Sequence, residues 1–308
     1  MASKYLHKPL LLSGGLDSSI LCSIIKPEVS IVISFGNNSC DLLHSRIVAE
    51  KYSKSHVEKI INFETFQRLV PNVIKILKTF DPIEIRNSCV IYAGITEAKK
   101  TGQFELVTGD GADELFAGYN YLHRYYSNPP NLQDVLVDLW KYMRFSSVEI
   151  GSALNMKVCT PYLEEPFISF AMGIDIREKV GKKMGTEWGK FILRKAFELE
   201  LGALVWRKKM ALEKGSKMDK VSGLIERKVT KDEFESEKKR SQTEQVIIDS
   251  KEQMYYYQVY RTFFPPPCND VCSSFRCPYC AACITRSKRY CNTCGAFPID
   301  ESKGIAKN

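Results

Sequence analysis

Over the first 130 residues, short apolar runs rich in Val, Ile and Leu alternate with segments whose apolar positions recur every three or four residues. The pattern predicts strands at 9–13, 29–35, 56–63 and 104–108. Between them it predicts helices at 17–25, at 41–52 (with Leu43, Ile47 and Val48 on one face), around 72–79 and at 86–100. Such alternation implies an α/β fold, a parallel sheet with right-handed crossovers sandwiched by helices. Ligands in these sheets bind at the carboxyl ends of the strands. From about 130 to 260 the pattern is mainly helical, as in Trp188, Phe191, Ile192, Lys195 and Leu199. The mixed-charge run 228–240 reads as an exposed helix face, and Pro265, Pro266 and Pro267 punctuate the chain. Three parts are expected: an α/β domain at 1–220, a helical extension at 221–264 and a cysteine-rich module at 265–308.

Composition narrows the classes. With 308 residues, 44% hydrophobic and 26% charged, the chain has ample means to bury a core, and disorder is excluded. No apolar run approaches the roughly 18–20 residues of a membrane span. The opening MASKYLHKPLLLSGG has too short an apolar stretch for a signal peptide. The net charge of +8 is uneven: residues 1–180 carry 19 basic and 20 acidic side chains, leaving 25 and 16 for 181–308. A basic second half is suited to a polyphosphate, a nucleic acid such as tRNA or an acidic protein partner.

Ser13-Gly14-Gly15-Leu16-Asp17-Ser18-Ser19 lies between a predicted strand and a predicted helix. Glycines there admit a phosphate to the backbone, and a helix N-terminus offers unpaired N–H groups to an anion. The Gly-Lys-Ser/Thr ending of a Walker A loop is missing. Thr108-Gly109-Asp110-Gly111-Ala112-Asp113-Glu114-Leu115-Phe116-Ala117-Gly118-Tyr119 places glycines and carboxylates at another strand's carboxyl end, a composition suited to Mg²⁺ beside phosphate. His7, His44, His56 and His123 are dispersed and read as structural or surface residues.

These motifs resemble the ATP pyrophosphatases, and within them the synthetase domain of asparagine synthetases. Further matching blocks are Thr160-Pro161-Tyr162-Leu163-Glu164, Lys190-Phe191-Ile192-Leu193-Arg194-Lys195 and Trp206-Arg207-Lys208-Lys209, so the likeness covers about residues 8–217. The resemblance implies that Ser13, Gly14, Gly15, Asp17, Ser18 and Ser19 form the pyrophosphate loop and that Asp17 with Asp113 holds Mg²⁺. It implies that Leu11, Ile33, Thr108 and Gly109 line the nucleotide and that Lys190 and Lys209 meet its phosphates, with Asp17, Asp110, Asp113, Lys190 and Lys209 as the catalytic set. Arg86, Asn87 and Ser88 fall where related enzymes contact the acyl substrate. Asp110 stands where asparagine synthetases usually have Glu, which counts against aspartate as substrate. The expected chemistry is attack of a carboxylate on the α-phosphorus of ATP, release of pyrophosphate, and displacement of AMP by an amine. Ala2 and Ser3 stand where glutamine-dependent relatives carry a nucleophilic Cys, so the nitrogen is expected from ammonia, another subunit or an amine substrate.

Seven of the eleven cysteines crowd near the C-terminus: Cys268, Cys272, Cys277, Cys280, Cys283, Cys291 and Cys294. Such a cluster reads as metal binding in a reducing compartment, the cytoplasm, rather than as disulfides. Cys268-x8-Cys277-x2-Cys280-x2-Cys283 suits a four-thiolate Zn²⁺ site and resembles the tail of 7-cyano-7-deazaguanine synthases. That resemblance implies 7-carboxy-7-deazaguanine as the acid and an amide or nitrile product. Cys272, Cys291 and Cys294 remain for a second site. Other partitions stay open: Cys277, Cys280, Cys291 and Cys294 as a zinc ribbon, or Cys277, Cys280 and Cys283 around an iron–sulfur cluster.

The expectation is thus a ligase using ATP, Mg²⁺ and Zn²⁺ on a small carboxylate and an amine, with no membrane partner and with a homodimer as a candidate assembly. The competing readings are a tRNA-modifying sulfurtransferase and a non-catalytic scaffold.

Overall fold

A computed structural model describes residues 2–284 and 289–299. Five parallel strands, β1 (Leu10–Leu11), β2 (Val29–Phe35), β3 (Ser55–Ile61), β4 (Glu105–Val107) and β5 (Lys157–Cys159), form one sheet in the order β3-β2-β1-β4-β5. The first half of the chain supplies α1 (Leu16–Ile25), α2 (Cys40–Tyr52), α3 (Phe63–Leu77), α4 (Pro82–Lys100), α5 (Ala112–Leu115), α6 (Pro129–Tyr142) and α7 (Ser146–Ala153). Beyond β5 come α8 (Glu165–Gly173), α9 (Ile176–Lys179), the hairpin β6–β7 (Val180–Lys183, Thr186–Gly189), α10 (Phe191–Ala196), α11 (Glu198–Leu201) and α12 (Leu212–Gly215). Three helices, α13 (Lys220–Lys228), α14 (Lys231–Thr243) and α15 (Lys251–Arg261), lead to the cysteine module with its hairpin β8–β9 (Phe275–Arg276, Cys283–Ile284). No helix among the described residues is long and apolar enough to cross a membrane.

Strand alternation sorts side chains onto two apolar layers. Leu10, Leu12, Val107 and Cys159 pack with Leu21 and Cys22 of α1, Val48 of α2 and Ala171 of α8. Ile31, Ile33 and Leu106, with Leu11 and Val158 beside them, pack with Phe66 of α3, Ile85 of α4, Ile150 of α7 and Tyr256 of α15. This second layer continues into Cys277, Cys280, Cys291 and Cys294, so the cysteine module shares the main core.

The helix expected at 72–79 begins earlier, at Phe63. Asn62 caps it by accepting from the Thr65 N–H (2.8 Å), and Phe66, Val70, Val73, Ile74 and Leu77 make one buried face. Pro71 lies inside the helix, where burial of that face outweighs one missing hydrogen bond. Next comes α4, four residues before the predicted start, with Asp81 accepting from the Ile83 N–H (2.9 Å) and Pro82 in the first turn. The charge-rich run falls on α13 and α14, the latter opened by a Thr230–Glu233 capping box.

Candidate nucleotide site and metal centre

The chain leaves β1 through Leu12, Ser13, Gly14 and Gly15 and enters α1 at Leu16. Gly14 has φ +68°, and a Cβ there would stand 2.5 Å from the His44 backbone carbon, so α2 presses on the loop where only glycine fits. Ser13 Oγ accepts from the Gly15 N–H (3.2 Å) and lies 3.3 Å from Ser18 Oγ. Ser18 Oγ also donates to Gly15 O (3.3 Å). The Ser19 hydroxyl is buried without a partner among the described residues. Arg207 Nη1 donates to Gly14 O (2.8 Å), and its Nη2 lies 3.5 Å from Asp41 Oδ1. Burial pushes Asp41 up to about 7 despite the opposing Arg207 charge. Tyr162 donates its hydroxyl to Asp17 O (3.0 Å). Arg207 and Tyr162 thus fix the loop backbone from positions far along the chain; only their presence in matching blocks marked them in the sequence.

Four charged side chains meet beside this loop. Lys190 Nζ lies 2.7 and 2.5 Å from the Asp17 carboxylate oxygens and 2.7 Å from Asp113 Oδ1, while Lys209 Nζ lies 2.6 Å from Asp113 Oδ2. Lys190 is 2% exposed, an ammonium tolerated at that depth only because two carboxylates surround it. The β6–β7 hairpin delivers it: Lys190 N donates to Phe116 O (2.8 Å), and Lys190 itself sits at φ +54°. Ala117 across from it is also left-handed, at φ +54°. Backbone strain on both sides of one charge centre is a mark of functional sites. Burial alone would raise the Asp113 pKa, but Lys190 and Lys209 overcome it and hold the carboxyl well below the usual range. Lys209 is pushed above its ordinary value, Asp113 and Asp17 outweighing its desolvation. Two carboxylates converging on one cation make a cradle that suits Mg²⁺ as well as an ammonium.

The second motif forms the opposite wall. Thr108 Oγ1 (2.8 Å) and Ser147 Oγ (2.5 Å) both donate to Asp110 Oδ2; burial, then the charges of Asp17 and Asp113, raise the Asp110 pKa against those hydrogen bonds. Gly109 packs against Asp17, where a Cβ would stand 3.3 Å from that residue's Cβ. Glu114 is buried and accepts a short hydrogen bond from Tyr119; burial, then the Asp113 charge, push it up to about 7. Leu11 is partly buried against Gly94 of α4, and Ile33 is buried within the sheet core. Ser88 is buried and bonds Glu84 Oε1 (3.0 Å). Arg86 Nη1 is engaged by Glu252 of α15 (2.7 and 2.6 Å), which also accepts from Tyr256 (2.9 Å). Arg86 Nε and Asn87 Oδ1 lack partners among the described residues. His56, bonded to Ser30 and Ser45, is structural as expected.

The cysteines partition differently from the favoured set. Cys277, Cys280, Cys291 and Cys294 gather with all four sulfurs within 4.8 Å. Cys277 and Cys294 are 3.8 Å apart, Cys280 and Cys291 3.7 Å. Zinc–thiolate bonds of about 2.3 Å in a tetrahedron set sulfur separations of about 3.8 Å. Two matching knuckles build the site. In the first, Ala281 N donates to Cys277 O (2.8 Å) and Cys277 N to Ala282 O (2.8 Å). In the second, Gly295 N donates to Cys291 O (2.8 Å) and Cys291 N to Ala296 O (3.1 Å). Ala281 (φ +57°) and Gly295 (φ +81°) turn the chain left-handed just after each Cys-x2-Cys. Hydrogen bonding among the four thiols, led by Cys277 with Cys280, lowers Cys277 and Cys291 below the usual thiol range and raises Cys280 and Cys294 above it.

Cys268 and Cys283 are therefore not ligands of this cluster. Cys283 is disulfide-bonded to Cys272, and Cys268 Sγ faces Asn269 Oδ1 at 3.4 Å. The second site expected from Cys272, Cys291 and Cys294 does not form, because Cys291 and Cys294 complete the first. A strand pair explains the difference: β8–β9 sets Cys283 opposite Arg276, outside the knuckle turn that aims Cys277 and Cys280 inward.

A glycine loop at a strand–helix junction, with paired carboxylates and lysines at the carboxyl ends of a parallel sheet, defines a nucleotide-binding α/β protein of the ATP-pyrophosphatase type. The chain belongs to the asparagine synthase family, whose model matches residues 9–154 and 146–256. It is 28% identical over 295 residues to the "Probable asparagine synthetase [glutamine-hydrolyzing]" of Dictyostelium discoideum, covering 83% of this chain and 51% of that protein. It is 28% identical over 286 residues to "Asparagine synthetase B [glutamine-hydrolyzing]" of Escherichia coli K12, covering 84% and 50%. The chain thus spans about half the length of these curated relatives. A solved structure described as a predicted subunit of tRNA methyltransferase from Methanocaldococcus jannaschii covers 68% of this chain and 92% of its own, at 15% identity and a TM-score of 0.31. That likeness is too slight to carry an argument.

Proposed function

We propose that this chain is an ATP-dependent carbon–nitrogen ligase: it adenylates a carboxylate with release of pyrophosphate, and an amine then displaces AMP. The observation that carries this reading is the Asp17–Lys190–Asp113–Lys209 centre set against the Ser13–Ser18 loop. Carboxylates are poor acyl donors because oxide is a poor leaving group; AMP leaves readily. The protein's share is to position the reactants and to neutralise the departing pyrophosphate.

In this reading Ser13, Gly14, Gly15, Ser18 and Ser19, with the N–H groups opening α1, receive the β- and γ-phosphates. Leu11, Ile33, Thr108 and Gly109 border the nucleotide. Asp17 and Asp113 would hold Mg²⁺, which supplies charge neutralisation at the phosphates. Lys190 and Lys209, paired here with those carboxylates, would meet phosphate oxygens of a bound nucleotide. Asp110, held by Thr108 and Ser147, faces the acyl side. Cys277, Cys280, Cys291 and Cys294 would hold Zn²⁺ as a closed four-thiolate site without an open position, a structural role.

The cysteine spacing that favoured 7-carboxy-7-deazaguanine loses its support once Cys268 and Cys283 lie outside the cluster, and Asp110 counts against aspartate. Both acids, with ammonium as amine, are the first substrates to test. With ¹⁸O in the acid's carboxylate, the expected products are pyrophosphate and AMP carrying the label. ADP with orthophosphate, or unlabelled AMP, would refute carboxylate adenylation.

A further inference from the structure

Outside the metal cluster, the cysteine module holds a second pair of sulfurs with its own supporting frame. Cys272 and Cys283 are joined, with Cα atoms 5.3 Å apart. Cys283 lies exposed on β9 and Cys272 is half-buried, whereas the four cluster cysteines are at most 3% exposed. Cys22 and Cys89 are buried, with thiols pushed up by desolvation, and so are poorly placed for exchange.

The two strands meeting at this pair are tied by more than the bond. Arg276, the ladder partner of Cys283, donates from Nη1 to Ala281 O (2.7 Å) and from Nη2 to Asp270 O (2.8 Å). Asp270 lies two residues before Cys272, and Ala281 two residues before Cys283. One guanidinium therefore grips the chain on both sides of the pair. The Cys277 N to Ala282 O bond (2.8 Å) and the Ile247 N to Tyr279 O bond (2.7 Å) hold the intervening knuckle in place. The sulfurs stay neighbours when the bond between them is cut, the condition for a bond that re-forms.

We propose that Cys272 and Cys283 are a reversible dithiol–disulfide site that exchanges with low-molecular-weight thiols and their disulfides, separate from the four-cysteine metal cluster. In the reducing direction a thiolate attacks the exposed Cys283 sulfur; the protein S–S bond breaks and Cys272 leaves as a thiolate that takes up a proton. A second thiolate attacks the resulting mixed disulfide, freeing Cys283 and forming the low-molecular-weight disulfide. Two electrons pass from two small thiols to the protein pair, and the oxidising direction reverses each step.

The full chain, equilibrated with mixtures of reduced and oxidised glutathione, is quenched with a maleimide and mapped by mass spectrometry, with zinc content measured on the same samples. Cys272 and Cys283 should pass together from protected to fully labelled in a single two-electron transition, while Cys268 is labelled at the reducing end without sharing it. In Cys272→Ser the transition should vanish and Cys283 should accumulate as a mixed disulfide with glutathione. In Arg276→Met the transition should shift toward stronger oxidant, with Cys272 and Cys283 still labelled together. Independent labelling of the two cysteines, or Cys283 of Cys272→Ser staying free at the oxidising end, would overturn the proposal. Zinc-free protein with a normal Cys272–Cys283 transition would refute the metal assignment alone and support the exchange site.

Discussion

Gly118 offers a one-methyl test of the charge centre. It lies where the loop after α5 passes beneath Lys190, and a Cβ there would stand 2.1 Å from Asp113 Oδ1, 2.1 Å from Lys190 Cε and 3.0 Å from Asp113 Cα. Ordinary carbon contacts need about 3.5 Å, so each side must retreat by roughly 1.4 Å. Lys190 has no free space to enter at 2% exposure, and Asp113 is fixed to the first turn of α5. The 2.7 Å Asp113–Lys190 pair therefore breaks or Asp113 changes rotamer. Overpacking of this kind costs about 1–3 kcal/mol of stability, and a displacement near 1 Å in a reacting site costs about 100-fold in rate. Gly118→Ala is expected to fold, to melt a few degrees lower, and to bind MgATP at least about 30-fold more weakly by calorimetry. Gly223→Ala is the control: Gly223 lies within α13 with nothing within 4 Å of the added methyl, and should gain about 0.5–1 kcal/mol with unchanged MgATP binding. A folded Gly118→Ala protein that binds MgATP within threefold of the parent would refute the role given to the centre.

Asp113→Asn removes the anion shared by Lys190 and Lys209 and should cost about 3 kcal/mol by urea denaturation, because buried ammonium groups lose a partner; MgATP binding should fall below detection in the same variant. Glu114 is pushed up from its ordinary 4.5 to about 7, so the fold keeps its proton where the unfolded chain has lost it. Its stabilising contribution is present below about pH 4.5 and lost as pH rises through 7, up to about 3 kcal/mol, and Glu114→Gln should flatten that part of the stability–pH curve. Cys291→Ser should reduce zinc from one per chain to a small fraction and lower the melting temperature of the whole protein, whereas Cys268→Ser should leave both unchanged; zinc lost from Cys268→Ser and kept by Cys291→Ser would restore the Cys268-containing set.

Local chemistry was legible in the sequence where a few neighbouring residues settle it. The alternation of strands and helices, the Gly14 turn and the helix after it depend on contacts within a few positions, and each appears close to where it was read. The helix expected around 72–79 begins instead at Phe63, because five buried side chains on one face carry α3 through Pro71. Arg207 and Tyr162 act on the glycine loop from 193 and 145 residues away, and no periodicity encodes such contacts. The cysteines show a subtler limit. Cys277-Pro278-Tyr279-Cys280-Ala281 and Cys291-Asn292-Thr293-Cys294-Gly295 are two copies of one knuckle, each ending in a small residue that turns left-handed. That repeat was the decisive signal, but the regular spacing from Cys268 to Cys283 competed with it. Only the β8–β9 pairing, a three-dimensional fact, takes Cys283 out of contention.

The placement of the second knuckle explains why a cysteine module accompanies this α/β domain as part of its core. Thr293 O accepts from both Phe80 N (2.8 Å) and Thr79 Oγ1 (3.2 Å), and Tyr290 donates to Asp81, the residue that caps α4. Gly295 has no side chain because Asp81 occupies that space, where a Cβ would stand 2.5 Å from its carboxyl carbon. From the first turn of α4, Glu84 hydrogen-bonds Ser88 and Ser146, and the adjoining Ser147 holds Asp110 at the candidate nucleotide site. A thiolate cluster that fixes Cys291 and Cys294 thereby fixes the cap of α4, and the α4 cap fixes the wall carrying Asp110. A metal held by these four sulfurs would in this sense brace the wall that the proposed function assigns to the acyl side, through hydrogen bonds rather than through any contact with substrate.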